Sequence, residues 1–165
     1  MKKIIILLIT LILSITIVGC SNKNHNFSIA YEGKSAFGFD DEKLTYCLSE
    51  YVSTREKLET LSKKLNNGYF DKLSLSYNSE MGSMIRKYDD EFFKDNSLVI
   101  CVIDAGNHYN YSVNKLEVRN SELIINIKKT QKKGIFTDEA FAYSFIIEVE
   151  KTEFSNIKSV KTIVK

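Results

Sequence analysis

The chain of 165 residues has three cysteines and two histidines, together with short acidic and basic clusters, as the side chains that could carry chemistry. Cys101 lies within Leu98-Val99-Ile100-Cys101-Val102-Ile103, where a thiol behaves as a small core hydrophobe. With Asp104 and His108 across the next turn it can be drawn as a nucleophile with an acid and a base. A buried, apolar thiol has nothing to lower its pKa, however, and the thiolate is the reactive form. Cys47 shares a strand parity with Thr45 and Ser49, and a Cys47–Cys101 disulfide stays open as an alternative in an oxidising compartment. His25 and His108 are distant in sequence, and no HExxH, EF-hand, glycine-rich phosphate loop or GxSxG spacing occurs. Neither a metal site nor a cofactor site is expected. Asp89-Asp90-Glu91 could attract a cation, but acids at a helix start are explained by the helix dipole.

The basic residues Lys128-Lys129 and Lys132-Lys133 form the one cationic cluster, around a hairpin end. Such a cluster is either a solvated loop or a contact for anionic headgroups or an acidic partner. Gly134-Ile135-Phe136 follows at once, placing an apolar pair where a hairpin end is normally short and polar. Lys132, Lys133, Ile135 and Phe136 are therefore the candidate partner-contact residues, either folded back on the core or presented as a contact tip.

The elements that must position these residues follow from periodicity. Leu44, Tyr46 and Leu48 alternate up to about Val52, which reads as a strand, after one or two short strands within 27–39. Ser53-Thr54-Arg55-Glu56 fits a capping box. Leu58, Leu61 and Leu65 then recur at helical spacing, Glu59 and Lys63 can pair, and Asn66-Asn67-Gly68 closes an amphipathic helix over about 53–66. Leu73, Leu75 and Tyr77 alternate again, and 78–84 reads as a loop. Asp89 can cap a helical turn over about 89–95 that directs Phe92 and Phe93 inward. Leu98–Ile103 is apolar at both parities, as in a central strand. Tyr109, Tyr111 and Val113 share one parity while Leu116 and Val118 share the other, which predicts a bulge near Asn114. Asn120-Ser121 is a turn. Leu123, Ile125 and Ile127 form the next apolar face, Phe141 to Val149 the clearest period of two, and Ile157–Val164 an edge strand. With no proline, linker or repeat, residues 27–165 read as a single α+β domain, mainly an antiparallel sheet with one amphipathic helix.

Residues 4–19 carry no charge and follow Met1-Lys2-Lys3. Sixteen uncharged residues are short for a span of roughly 20 but suit the apolar region of a secretory signal. Ile17-Val18-Gly19-Cys20 resembles the lipobox of bacterial lipoproteins, in which cleavage precedes a diacylated cysteine. The resemblance implies a signal peptide over 1–19, lipidation of Cys20 and a polar tether over 20–26. Ser21 is not the Asp that retains Gram-negative lipoproteins in the inner membrane. Two of the 23 Lys and Arg and none of the 21 Asp and Glu fall in 1–19, so the rest of the chain is balanced in charge. That balance argues against nucleic acid, which needs a basic excess to neutralise phosphates.

The stretch Tyr88-Asp89-Asp90-Glu91-Phe92-Phe93-Lys94-Asp95-Asn96-Ser97-Leu98-Val99 is followed by the Gly106 turn, the Val113–Ile127 hairpin and Thr137-Asp138 leading into Tyr143–Val149. Together they resemble the C-terminal domain of the protease complex subunit PrcB family, over about 88–151. The resemblance implies a membrane-anchored, extracytoplasmic lipoprotein acting as a non-catalytic binding or accessory subunit, with a surface protease as partner. The alternative is a small secreted hydrolase, thiol-dependent or otherwise, with an unrecognised active site. If Cys20 is the lipidated N-terminus, Cys20→Ala should leave an uncut precursor and abolish acyl labelling; normal processing of the mutant would refute the assignment.

Overall fold

The computed structural model describes residues 25–165. The expected signal peptide over 1–19, Cys20 and residues 21–24 of the expected tether lie outside them. The strands are β1 (Ser28–Lys34), β2 (Leu48–Val52), β3 (Asn96–Gly106), β4 (Tyr109–Arg119), β5 (Glu122–Gln131), β6 (Ala140–Glu150) and β7 (Ser159–Val164). The helices are α1 (Arg55–Lys64), α2 (Glu80–Ile85) and α3 (Phe92–Asp95). The fold is α+β and dominated by its strands.

A strand apolar on both faces must be covered twice, and β3 is. It lies inside an antiparallel four-stranded sheet ordered β1-β6-β3-β2. Leu98, Ile100 and Val102 point with Ile146 toward the helices, where Leu58, Leu61, Leu65, Ile85 and Phe93 complete one core. Val99, Cys101, Ile103 and Ala105 point with Phe145, Ile147 and Val149 the other way, against a second sheet ordered β4-β5-β7. That sheet contributes Tyr111, Leu116, Leu123, Ile125 and Ile127. The layers are thus helix, sheet, sheet, rather than one sheet covered by one helix. The terminal strand is at an edge as expected, and it pairs with β5 in parallel.

Several local expectations hold and others are displaced. The bulge falls between Val113 and Lys115, so the apolar parity shifts and both halves of β4 face the same core. Asn120 and Ser121 both take positive φ, as a tight hairpin turn of the right twist demands. Helix α1 is capped one residue later than the capping box suggested: the Lys57 N–H donates to Thr54 Oγ1 at 3.1 Å. Glu59 pairs with Arg55 at 2.8 Å instead of with Lys63. Leu44 is not in a strand. It stands exposed at positive φ on a turn closed by the Asp40–Thr45 bridge. The Leu73–Tyr77 alternation is not a strand either, and Leu73 and Leu75 are almost wholly exposed. Asp71 accepts from the Leu73 N–H and Ser74 from the Ser76 N–H, local bonds that compete with extended pairing. Ser79 then caps α2 through the Gly82 N–H, turning most of the expected 78–84 loop into helix. The Arg86 guanidinium fastens the segment by donating to the carbonyls of Tyr69 and Tyr77.

His25, which falls within the expected 20–26 tether, makes contacts with the folded domain: its N–H donates to the Leu116 carbonyl, its Nδ1 lies 3.0 Å from Glu153 Oε2, and its ring packs on Phe154.

The Tyr88–Val99 stretch is a structural anchor. Asp89 Oδ1 accepts from the Phe92 N–H at 2.9 Å, Phe93 is buried, and Phe92 stacks edgewise between Tyr88 and Phe93. The Tyr88 hydroxyl donates to Glu148 on β6 at 3.0 Å. Truncating a buried phenylalanine typically costs about 3–5 kcal/mol. Phe93→Ala should therefore lower the melting temperature sharply and half-buried Phe92→Ala less so; thermal melts with negligible shifts in both would remove α3 as an anchor.

Candidate functional site

The loop flagged by its composition sits at one end of the two-sheet stack, where β3 crosses to β4 and β5 returns to β6. A turn at 106–109 and a loop at 132–139 are tied to each other there. The Lys132 N–H donates to the His108 carbonyl at 2.8 Å, and the Asn107 N–H to the Glu139 carbonyl at 3.3 Å. The turn itself is held from below, since the Gly106 N–H donates to the Tyr111 hydroxyl at 3.0 Å. From β1, Lys34 Nζ reaches Asn107 Oδ1 at 2.8 Å.

On this base the four candidate residues are divided. The Phe136 ring meets His108 edge-on at 5.9 Å, and Lys132 Nζ lies 5.7 Å from the Phe136 centroid, so these two are half-buried and mutually packed. Lys133 and Ile135 project, and Ile135 is fully exposed. Gly134 takes φ +129, a conformation that side chains rarely adopt, and so permits the reversal between the two lysines and the apolar pair. His108 Nε2 is 3.8 Å from Asp138 Oδ1, which places a carboxylate on the same surface. The basic cluster is split by strand parity. Lys129 rests over the Tyr109 ring at 3.8 Å, whereas Lys128 belongs to the outer face of the second sheet.

The thiol constellation does not assemble. Cys101 and Asp104 have opposite parity on β3 and so face different layers. Asp104 accepts from the Tyr46 hydroxyl at 2.9 Å, and Cys101 Sγ lies 3.1 Å from Thr162 Oγ1. Burial pushes the Cys101 thiol up to about 11 from an ordinary 9.0, the opposite of what a nucleophile needs. Cys47 and Cys101 are both free thiols, Cys47 exposed and Cys101 buried. Of the acids at 89–91, Asp89 accepts from the Phe92 N–H and Glu91 pairs with Lys94. Among the described residues no three His, Cys, Asp or Glu side chains converge as metal ligands.

The fold also assembles a charge cluster from residues spaced two apart on β4. On the outer face of the second sheet, Glu117 is only 3% exposed and is gripped by two cations, the Lys115 ammonium on one oxygen and Arg119 Nη2 at 2.8 Å on the other. The hydrogen bond from Lys115 outweighs the desolvation of this carboxyl and holds it below the usual carboxylate range. The i, i+2 spacing of the three charges was visible, but which face they shared depended on the bulge.

No family model, curated protein or solved structure matches the chain.

Because the folded thiol ionises about two units above the unfolded one, the unfolded chain releases the Cys101 proton first as pH rises. The stability that this thiol contributes is full below pH 9 and is lost between pH 9 and about 11. Denaturant melts should show wild type losing about 2–3 kcal/mol more than Cys101→Ala across that window. At pH 8, a thiol reagent should titrate Cys47 alone in folded residues 21–165 and both thiols after unfolding.

Proposed function

We propose that the protein is a lipid-anchored extracytoplasmic lipoprotein that works as a non-catalytic binding or accessory subunit, with the 131–139 loop as its partner contact. The observation that carries this reading is the loop itself. Ile135 is fully exposed beside Lys133, on a base made rigid by the Lys132–His108 and Asn107–Glu139 backbone bonds and the Phe136–His108 packing. A side chain held outward by a fixed scaffold loses little conformational freedom on binding, and contact centres favour apolar groups such as Ile135 inside a polar rim, the place Lys133 would take. Proteins are the partner class that such a mixed, protruding tip fits.

The anchor reading rests on the uncharged 4–19 segment and on Cys20. The resemblance of 88–151 to the PrcB family directs attention to a surface protease as the partner. The competing hydrolase reading is weakened where it was most concrete, since Cys101 is buried, has a raised pKa and faces away from Asp104.

The test is capture of extracytoplasmic proteins by residues 21–165 and by Lys132→Glu/Phe136→Ser. The double substitution should lower capture of a specific partner at least about tenfold, the effect of losing roughly 1.4 kcal/mol at a contact centre. It should leave the melting temperature within a few degrees. Undiminished capture by a folded double mutant would move the contact to the strand edges.

A further inference from the structure

The outer face of the β4-β5-β7 sheet holds a concavity of about 350 Å³, lined by Lys115, Arg119, Asn126, Lys128, Ile163 and Lys165. The β4–β5 hairpin and the sequence-distant β7 build it. The register sets Asn126 between Lys115 and Ile163, and Lys161 and Ile163 share the outer parity of β7. Lys115, Arg119, Lys128, Lys161 and Lys165 are thereby gathered on one face, against the carboxylates of Glu117 and Glu122. Glu117 already engages Lys115 and Arg119, which leaves Lys128, Lys161 and Lys165 exposed along the face with no salt bridge to a carboxylate among the described residues. Beneath them the Asn126 Nδ2 is buried without a hydrogen-bond partner. An unused buried donor costs free energy unless something accepts from it.

The docking of His25 says what meets this face. His25 donates to the carbonyl of Leu116, whose neighbours Lys115 and Glu117 line the concavity. Only residues 21–24 separate His25 from Cys20, and five peptide steps reach at most about 18 Å. An acyl group on Cys20 would therefore hold His25, and with it the β4 edge of this sheet, within about 18 Å of the headgroups, so that rotation about this edge would turn the cationic face toward them.

We propose that the outer face of the second sheet binds anionic phospholipid headgroups, their phosphates taken by Lys128, Lys161 and Lys165 and by the Asn126 amide. The contact fixes which side of the domain faces the membrane and leaves the 131–139 loop on an end of the stack. The inference rests on the reading of Cys20 as the anchor, but its test uses unlipidated protein.

Residues 21–165 contain every described element and both cores, and so carry the described fold. They are sedimented with vesicles of phosphatidylcholine alone and with equal parts phosphatidylglycerol. Binding should require phosphatidylglycerol and fall with added salt. Each cation near an anionic surface contributes about a fivefold gain in partitioning, so Lys128→Glu/Lys165→Glu should bind at least about 25-fold more weakly. Lys63→Glu/Lys72→Glu, with the same net charge change at exposed positions elsewhere, should stay within about threefold of wild type. If the first variant melts early, Lys128→Gln/Lys165→Gln replaces it. No dependence on phosphatidylglycerol, or equal losses in both variants, would overturn the proposal. So would inorganic phosphate shifting the Asn126 amide resonances in a protein that ignores vesicles, which would mark a site for soluble anions. None of these outcomes touches the acylation of Cys20, which labelling of Cys20→Ala decides separately.

Discussion

Everything in this architecture follows from a strand that tolerates water on neither side. From Leu98 to Ile103 each side chain on β3 is apolar or a thiol, and each is buried. Burial of apolar area is the main favourable term in folding, at roughly 25 cal/mol per Å², so exposing either face would forfeit a large part of the stability of a domain this size. Two covering layers are the consequence. The helices shield the even parity, and the second sheet shields the odd one. The neighbour β6 obeys the same demand, with Ile146 on one side and Phe145, Ile147 and Val149 on the other.

The polar groups drawn into these layers are satisfied where they occur. Tyr51 donates to Ser97 at 3.0 Å, Ser144 to the Ser35 carbonyl, and Lys151 to the Phe93 carbonyl at 2.8 Å. Asp40 is buried, which alone would raise its pKa; the Lys64 ammonium and the Lys43 N–H outweigh that and hold it below the carboxylate range. A polar group left unpaired in the interior is expensive, so such bonds specify which loop sits where as much as they add stability. The Asn126 amide departs from that pattern, and it does so on a charged face.

Features encoded within a few residues were legible in advance. The Asp89 cap, the inward Phe93, the turn at Asn120-Ser121 and the bulge at Asn114 each depend on local spacing or on a switch of parity. What was not legible depends on partners far away in sequence. Leu73, Leu75 and Tyr77 alternate like a strand but have no strand beside them, so the side-chain bonds of Asp71 and Ser74 prevail. The division into two sheets and the parallel docking of β7 on β5 are likewise decided by tertiary pairing. The candidate loop stood out by composition, because exposed Ile135 beside two lysines is unusual anywhere. The cationic face did not stand out, since Lys115, Lys128 and Lys165 become neighbours only after β4, β5 and β7 are in register.

The bulge at Asn114 has a further meaning. A single unpaired residue acts as a phase shifter: upstream of it odd-numbered side chains enter the core, and downstream even-numbered ones do. Core and charge are thus read in two different frames along one strand, and residue 114 is where the frame changes. Substitution there is cheap, because the side chain is exposed. Deletion is not, because it would send Lys115, Glu117 and Arg119 inward and Leu116 and Val118 out to water. In a lineage of such domains, the length of β4 would therefore be held more tightly than the identity of the residue that sets it.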